Sequence, residues 1–189
     1  MNVRSLGSAA AAVLFAAAAA LPVSARDLAG VTMPDSVTVG GKTMKLNGMG
    51  VRKKAIFKVY VAGLYLEAPS KDAAAILAAD ATRSIRMQYV RNVDKEKISE
   101  AFQEGFQNNA PELASRQKAA IDRMIASVPD LKDGETMAFT YVPGKGTALN
   151  VAGRDLFSAE GKEFADAVFS LWLGPKPPSE DLKKGLLGN

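Results

Sequence analysis

Residues 46–69 read LNGMGVRKKAIFKVYVAGLYLEAP. From Ile56 to Glu67 the residues alternate as an extended strand does, with Lys58, Tyr60, Ala62, Leu64 and Leu66 on one side and Phe57, Val59, Val61, Gly63 and Tyr65 on the other. Arg52, Lys53 and Lys54 stand directly before this strand, so an apolar run begins beside a block of positive charge.

Upstream, DSVTVGGKTMKLNG (35–48) gives two short alternating runs joined at Gly40-Gly41, a pair that tolerates the positive φ angles of a tight hairpin. Downstream, SKDAAAILAAD (70–80) predicts a short helix capped by Ser70 or Asp72. RSIRMQYVR (83–91) predicts a strand with Ile85, Met87 and Tyr89 opposed to Arg86 and Gln88. From Asp94 the period becomes helical, since Ile98, Ala101, Phe102, Gly105 and Phe106 fall on one face. That helix is expected to break before Pro111, because the residue preceding a proline is pushed out of the helical region.

A second helix is predicted through Leu113, Gln117, Ala120, Ile121, Met124 and Val128 to Pro129. GETMAFTYVPGKGTALNVAG (134–153) predicts strand, turn and strand, and Phe164, Val168, Leu171 and Trp172 mark another helix. A last helix follows Ser179, a suitable N-cap. The order of strands, helices, strands, helices indicates an α+β fold: a largely antiparallel sheet with helices over one face.

The N-terminus has the pattern of a secretory signal peptide. Arg4 is a positive flank, residues 9–21 are an apolar run, and Val23-Ser24-Ala25 is a small-residue cleavage site. The expected organisation is a signal peptide over 1–25 and one domain over 26–189, exported across the inner membrane to the periplasm, with no membrane span once the leader is removed. Its loss takes away Arg4 and no acid, leaving a mild basic excess from the formal charge of +4. The basic residues are scattered among acids, which argues against a nucleic-acid partner.

The chain has neither Cys nor His. Disulfides, Cys–His and Ser–His–Asp catalysis, and the usual zinc, copper and haem ligand sets are therefore excluded. PGKGT (143–147) lacks the spacing of a phosphate loop and sits between strands, so a hairpin turn is expected. The acids lie in capping, helix-surface or turn contexts, where solvated charge is the default.

Arg52 and Tyr60 admit two readings. Arg52 offers five donors in a permanently charged planar fork, and Tyr60 offers a phenol on the strand face that carries Ala62 and Leu64. Together they would form a polar clamp at the mouth of an apolar pocket. Alternatively Arg52, Lys53 and Lys54 are ordinary solvated charges and Tyr60 is a core aromatic.

At these residues the chain resembles the chalcone isomerase-like family. The G-x-G-x-R element before F-K-V-Y-V-A-G-L-Y-L-E, the segment VRNVDKEKISEAFQEGFQNN (90–109) and the terminal LWLGPKPPSEDLKKGLLG (171–188) are similar to family motifs. The resemblance implies an open-faced β-sandwich, a large antiparallel sheet covered on one face by a layer of helices. It also implies one of two activities.

In plant isomerases the Arg matching Arg52 stabilises a phenolate oxyanion during ring closure, an intramolecular lyase reaction. In fatty-acid-binding relatives that Arg and a Tyr grip a carboxylate. Here Tyr60 stands where the isomerases have Thr, as in the binding branch. The isomerase helix Tyr falls on Ala101 or Phe102, the Asn on Asn108 or Asn109, and the polar residue before W-L-G on Leu171. The expectation is a monomeric, cofactor-free binder of a small apolar carboxylate or aromatic acid, with Arg52, Tyr60, Ala62, Leu64, Phe102, Asn108 and Asn109 as candidate ligand contacts. The alternatives are an intramolecular lyase using Arg52 and a structural protein whose cleft is filled by its own side chains.

Overall fold

A computed structural model describes residues 24–189, so the signal-peptide reading lies outside the described residues except for Ser24 and Ala25. A ribbon of β1 (Ala25–Leu28) and β2 (Val31–Pro34) precedes one seven-stranded sheet. The sheet runs in chain order through β3 (Ser36–Val39), β4 (Lys42–Lys54), β5 (Phe57–Leu66), β6 (Arg83–Tyr89), β7 (Thr136–Val142), β8 (Gly146–Val151) and β9 (Arg154–Ala159), every neighbouring pair antiparallel. The helices are α1 (Ala73–Ala78), α2 (Lys95–Asn109), α3 (Pro111–Arg116), α4 (Lys118–Ser127), α5 (Lys162–Leu173) and α6 (Glu180–Leu186). The α+β class and the antiparallel sheet under a helical layer are as the sequence indicates.

Local chemistry accounts for the boundaries. Gly40 and Gly41 take φ of 57° and 81° between the paired Val39 and Lys42, the left-handed turn that a two-residue hairpin needs. PGKGT is the β7–β8 turn, with Val142 paired to Gly146. Asp72 caps α1 by accepting from the amides of Ala74 and Ala75, and Ser179 caps α6 by accepting from that of Leu182.

Four features differ from the sequence expectation. The second short run expected to end at Gly48 continues as β4 to Lys54, so Arg52 lies within a strand rather than before one. The helix expected over Leu113–Val128 is two helices, because Gln117 leaves helical geometry (φ −99°, ψ 13°) and lets α3 pack on α5 while α4 packs against β9. Strand β9 is an edge strand whose alternation is blurred by a register shift at Leu149/Asn150, which leaves the adjacent Leu156 and Phe157 both half-buried. The β1–β2 ribbon is too short for a clear period. It packs on the sheet face away from the helices, where Val31 and Met33 meet Met44, Leu46, Val61 and Tyr65, and the Tyr65 hydroxyl donates to the Pro34 carbonyl at 3.0 Å.

The main core lies between the other face and the helices. Ala62, Leu64, Ile85, Met87, Met137, Phe139 and Leu149 from the sheet meet Phe102, Phe106, Met124, Phe164, Val168 and Trp172. Arg83 is 2% exposed within it. Its guanidinium donates to the carbonyls of Ile76, Leu77 and Ala79 (2.8, 3.3 and 3.1 Å) and to Asp166 (2.5 Å), between the rings of Tyr141 and Phe169. The carbonyl end of α1 and a carboxylate thus compensate the buried cation, as burial of a charge requires.

At the other end of the sheet, α6 lies directly on β4. A Cβ at Gly48 would fall 2.1 Å from the Gly185 carbonyl oxygen, and one at Gly50 would fall 2.5 Å from that of Leu182. Because both obstacles are backbone, neither can swing away. Gly48→Ala should lower stability by about 2–3 kcal/mol through overpacking, read as a lower midpoint in urea unfolding. An undiminished midpoint would show that α6 can lift off the strand at little cost.

Candidate functional site

Residues directly opposite in an antiparallel ladder project to the same face. Gly48, Gly50 and Arg52 stand opposite Leu64, Ala62 and Tyr60, so the G-x-G-x-R spacing places Arg52 on the helix-side face in line with the two glycines under α6. Helix α6 runs from Leu182 over Gly50 to Gly185 over Gly48, and its first turn therefore points toward Arg52. A register shift follows between Arg52 and Lys53. Lys53 and Lys54 are exposed and Arg52 is half-buried.

Tyr60 reaches inward. It is 9% exposed, and its hydroxyl accepts a hydrogen bond from the Trp172 indole N–H at 3.0 Å. Its ring lies 5.5 Å from that of Tyr89, which is 3% exposed, and Trp172 in turn packs against Phe139 and Phe102. Arg52 and Tyr60 do not bond one another. The Arg52 guanidinium donates to the Lys53 carbonyl.

The electrostatics of this cluster follow from burial. Desolvation pushes the Tyr60 phenol up to about 12, opposed in part by the Trp172 hydrogen bond and by the nearby Arg52 charge. Tyr89 is raised further, by desolvation and by its proximity to Tyr60. Both phenols are therefore protonated donors at neutral pH. Among the described residues neither phenolic proton has an acceptor, and Arg52 has no carboxylate partner. Three donors thus gather at one end of the core with no protein anion among them, an arrangement suited to an anionic ligand and unsuited to general-base chemistry by a phenolate.

The other candidate contacts separate. Ala62, Leu64 and Phe102 lie in the same core cluster as Tyr60. Of the pairs left open by sequence, Phe102 points inward and Ala101 outward, and Asn109 is half-buried while Asn108 is exposed. The Asn109 amide donates to the carbonyls of Gly105 and Lys176 and accepts from the Lys176 amide, so it fastens the end of α2 to the W-L-G-P-K loop. It lines a surface cavity of about 560 Å³ with Leu77, Lys162, Asp166 and Ser170, apart from Arg52 and Tyr60. Leu171 packs on Gly105, with no polar role.

Sequence reasoning missed Trp172 and Tyr89 as members of the cluster. The parity of β6, which puts Tyr89 on the face of Ile85 and Met87, was the available signal for one; no local signal marked Trp172. Among the described residues no group of three or more acidic side chains converges as a metal site would require.

All four tyrosines of the chain are shifted upward, Tyr141 also to about 12 by burial and its hydrogen bond to Asp80, and Tyr65 by burial. A phenol whose pKa is raised by folding favours the folded state fully below its unfolded pKa and loses that contribution as pH rises through the folded value. Stability should hold to about pH 10 and fall between about 10 and 12. Spectrophotometric titration should show tyrosinate absorbance appearing together with loss of the near-ultraviolet dichroism. A tyrosine titrating near its ordinary value in a fully folded protein would contradict the packing described.

The chain as a whole compares as follows. The model of the chalcone isomerase-like family matches residues 25–188. Among solved structures, a fatty-acid binding protein of Arabidopsis thaliana superposes with a TM-score of 0.69 at 19% identity, over 87% of this chain and 96% of that one. No curated protein matches the chain. The family match over nearly all of the described residues, on a seven-stranded antiparallel sheet shared with a solved relative, places this chain in the chalcone isomerase-like family.

Proposed function

We propose that the protein is an exported, non-catalytic binder of a small apolar carboxylate, a fatty acid or an aromatic acid, held at the Arg52–Tyr60 end of the core. The observation that carries this reading is the donor excess: a guanidinium without a carboxylate beside two protonated phenols without acceptors. A ligand carboxylate supplies the missing acceptors, and charge-assisted bonds to an Arg fork are among the stronger ones a site can offer. The fatty-acid binding protein of the same fold supports the class of ligand. The signal-peptide pattern of residues 1–25 supports export.

Below Tyr60 the core is close-packed by Trp172, Phe102 and Phe139. An aromatic or short acid would sit at the mouth with the Trp172–Tyr60 bond intact, whereas a long acyl chain would have to part it. Trp172 is the only tryptophan, so its fluorescence reports on this point alone.

Titration with a series of fatty and aromatic acids should show binding tighter than about 1 mM, or about −4 kcal/mol, with Trp172 emission changing most for long chains. Arg52→Ala should weaken binding by about tenfold or more through loss of bonds to a charged acceptor, and Tyr60→Phe by less. If no apolar acid co-purifies from the native host and none binds below about millimolar, the reading fails. Intact-mass measurement of the protein from that host should give a chain beginning at Arg26; retention of residues 1–25 would refute cleavage.

A further inference from the structure

The β4–β5 hairpin carries the large hydrophobic side chains that the folded core leaves outside. Ile56 is 86% exposed and Phe57 55%. Pairing of β5 with β6 ends at Tyr60 and Tyr89, and Val90 makes one more backbone bond to Val59 at 3.0 Å. Beyond it, Lys53 pairs with Lys58 and Lys54 with Phe57, so the tip runs on about 10 Å past the last backbone bond to its neighbour at the usual rise per residue. Ala55 turns the chain at φ 52°, a conformation that a side-chain-bearing residue adopts at some cost, and holds Ile56 outward.

The surroundings of this apolar point are cationic. Arg52, Lys53, Lys54 and Lys58 flank it, no acid occurs from residue 47 to residue 66, and the Arg91 guanidinium lies 4.8 Å over the Phe57 ring. None of the five takes part in an ion pair among the described residues. The acids Asp133 and Glu135, on the β6–β7 connection at the same end of the sheet, make neither an ion pair nor a hydrogen bond with any of them.

We propose that this tip docks the protein on an anionic lipid surface, with Ile56 and Phe57 inserted at the acyl boundary and the five cations at the headgroups. A convex point of two apolar side chains is far smaller than a stable protein–protein interface and forms no groove for a peptide. It has the combination that binds at a bilayer interface: apolar side chains that enter, ringed by Lys and Arg that pair with anionic headgroups. Among the described residues no helix is long and apolar enough to cross a membrane. Docking does not depend on the carboxylate-binding reading, although it would bring Arg52 to the plane from which an apolar acid would be drawn.

The test uses residues 26–189 with Ile56→Trp, whose exposed indole adds to the signal of the buried Trp172. Vesicles of phosphatidylcholine mixed with phosphatidylglycerol should shift the added emission to the blue, vesicles of phosphatidylcholine alone should do so far less, and added salt should reverse the shift. Lys53→Glu with Lys54→Glu in the same chain should weaken the response by about tenfold or more. Because these side chains are solvated, the variants' thermal midpoints should match that of the parent. An indole at residue 56 that stays water-exposed on anionic vesicles, responds equally to neutral ones, ignores the charge reversal, or shifts to the blue without any vesicle because copies self-associate would overturn the proposal. Loss of acid binding with docking retained would sink only the ligand reading.

Discussion

The seating of α6 on β4, backbone against backbone, is the constraint on which the rest of the site depends. It exists because Gly48 and Gly50 present no Cβ where the carbonyls of Gly185 and Leu182 lie. The same contact closes the helix-side face of β4 as far as Gly50 and leaves Arg52 as the next residue on that face. An arginine is tolerated there because the closely packed part of the interface has ended. Asn47 reinforces the arrangement from the strand side, its amide donating to the carbonyls of Ser70 and Leu186.

Two arginines on the helix-side face of one sheet show how partnering separates a structural cation from a candidate binding one. Arg83 is buried with three carbonyls, a carboxylate and two aromatic faces around it, which compensate its charge although its Nε has no partner, and it joins α1, β6, β7 and α5. Removing one partner there would leave an uncompensated buried charge, the costly way to break such a pair. Arg52, half-buried at the opposite end of the sheet, donates to one backbone carbonyl and lies near phenols that are neutral and bring no compensating charge. The difference lies in the acceptors supplied by the surrounding elements, since the two side chains are chemically identical.

Much of this was written locally. The extended run over 57–66 set which residues of β5 share a face, because successive residues of an extended chain must point oppositely. Gly40-Gly41, the Asp72 and Ser179 caps and Pro111 set ends of elements through φ preferences and unsatisfied amides that act over a few residues. The placement of Tyr60 on one face with Ala62 and Leu64 was legible for the same reason, whereas Arg52 joins that face only through the β4–β5 register. The motifs around them were specific enough to point to the family.

What tertiary structure alone decided is everything that requires two distant segments to meet. Trp172 bonds Tyr60 across 112 positions, and no period in either segment announces it. Asn109 rather than Asn108 is drawn inward because Lys176 and Gly105 offer it a donor and two acceptors. Gln117 interrupts a continuous apolar face because α3 and α4 find different neighbours, and β9 is a strand because β8 offers it an edge despite its weak alternation. Sequence encodes the periodicity of each element, a property of neighbouring torsions and side chains. Which donor lacks an acceptor depends on the whole set of elements packed around it, and that set exists only once the chain has folded.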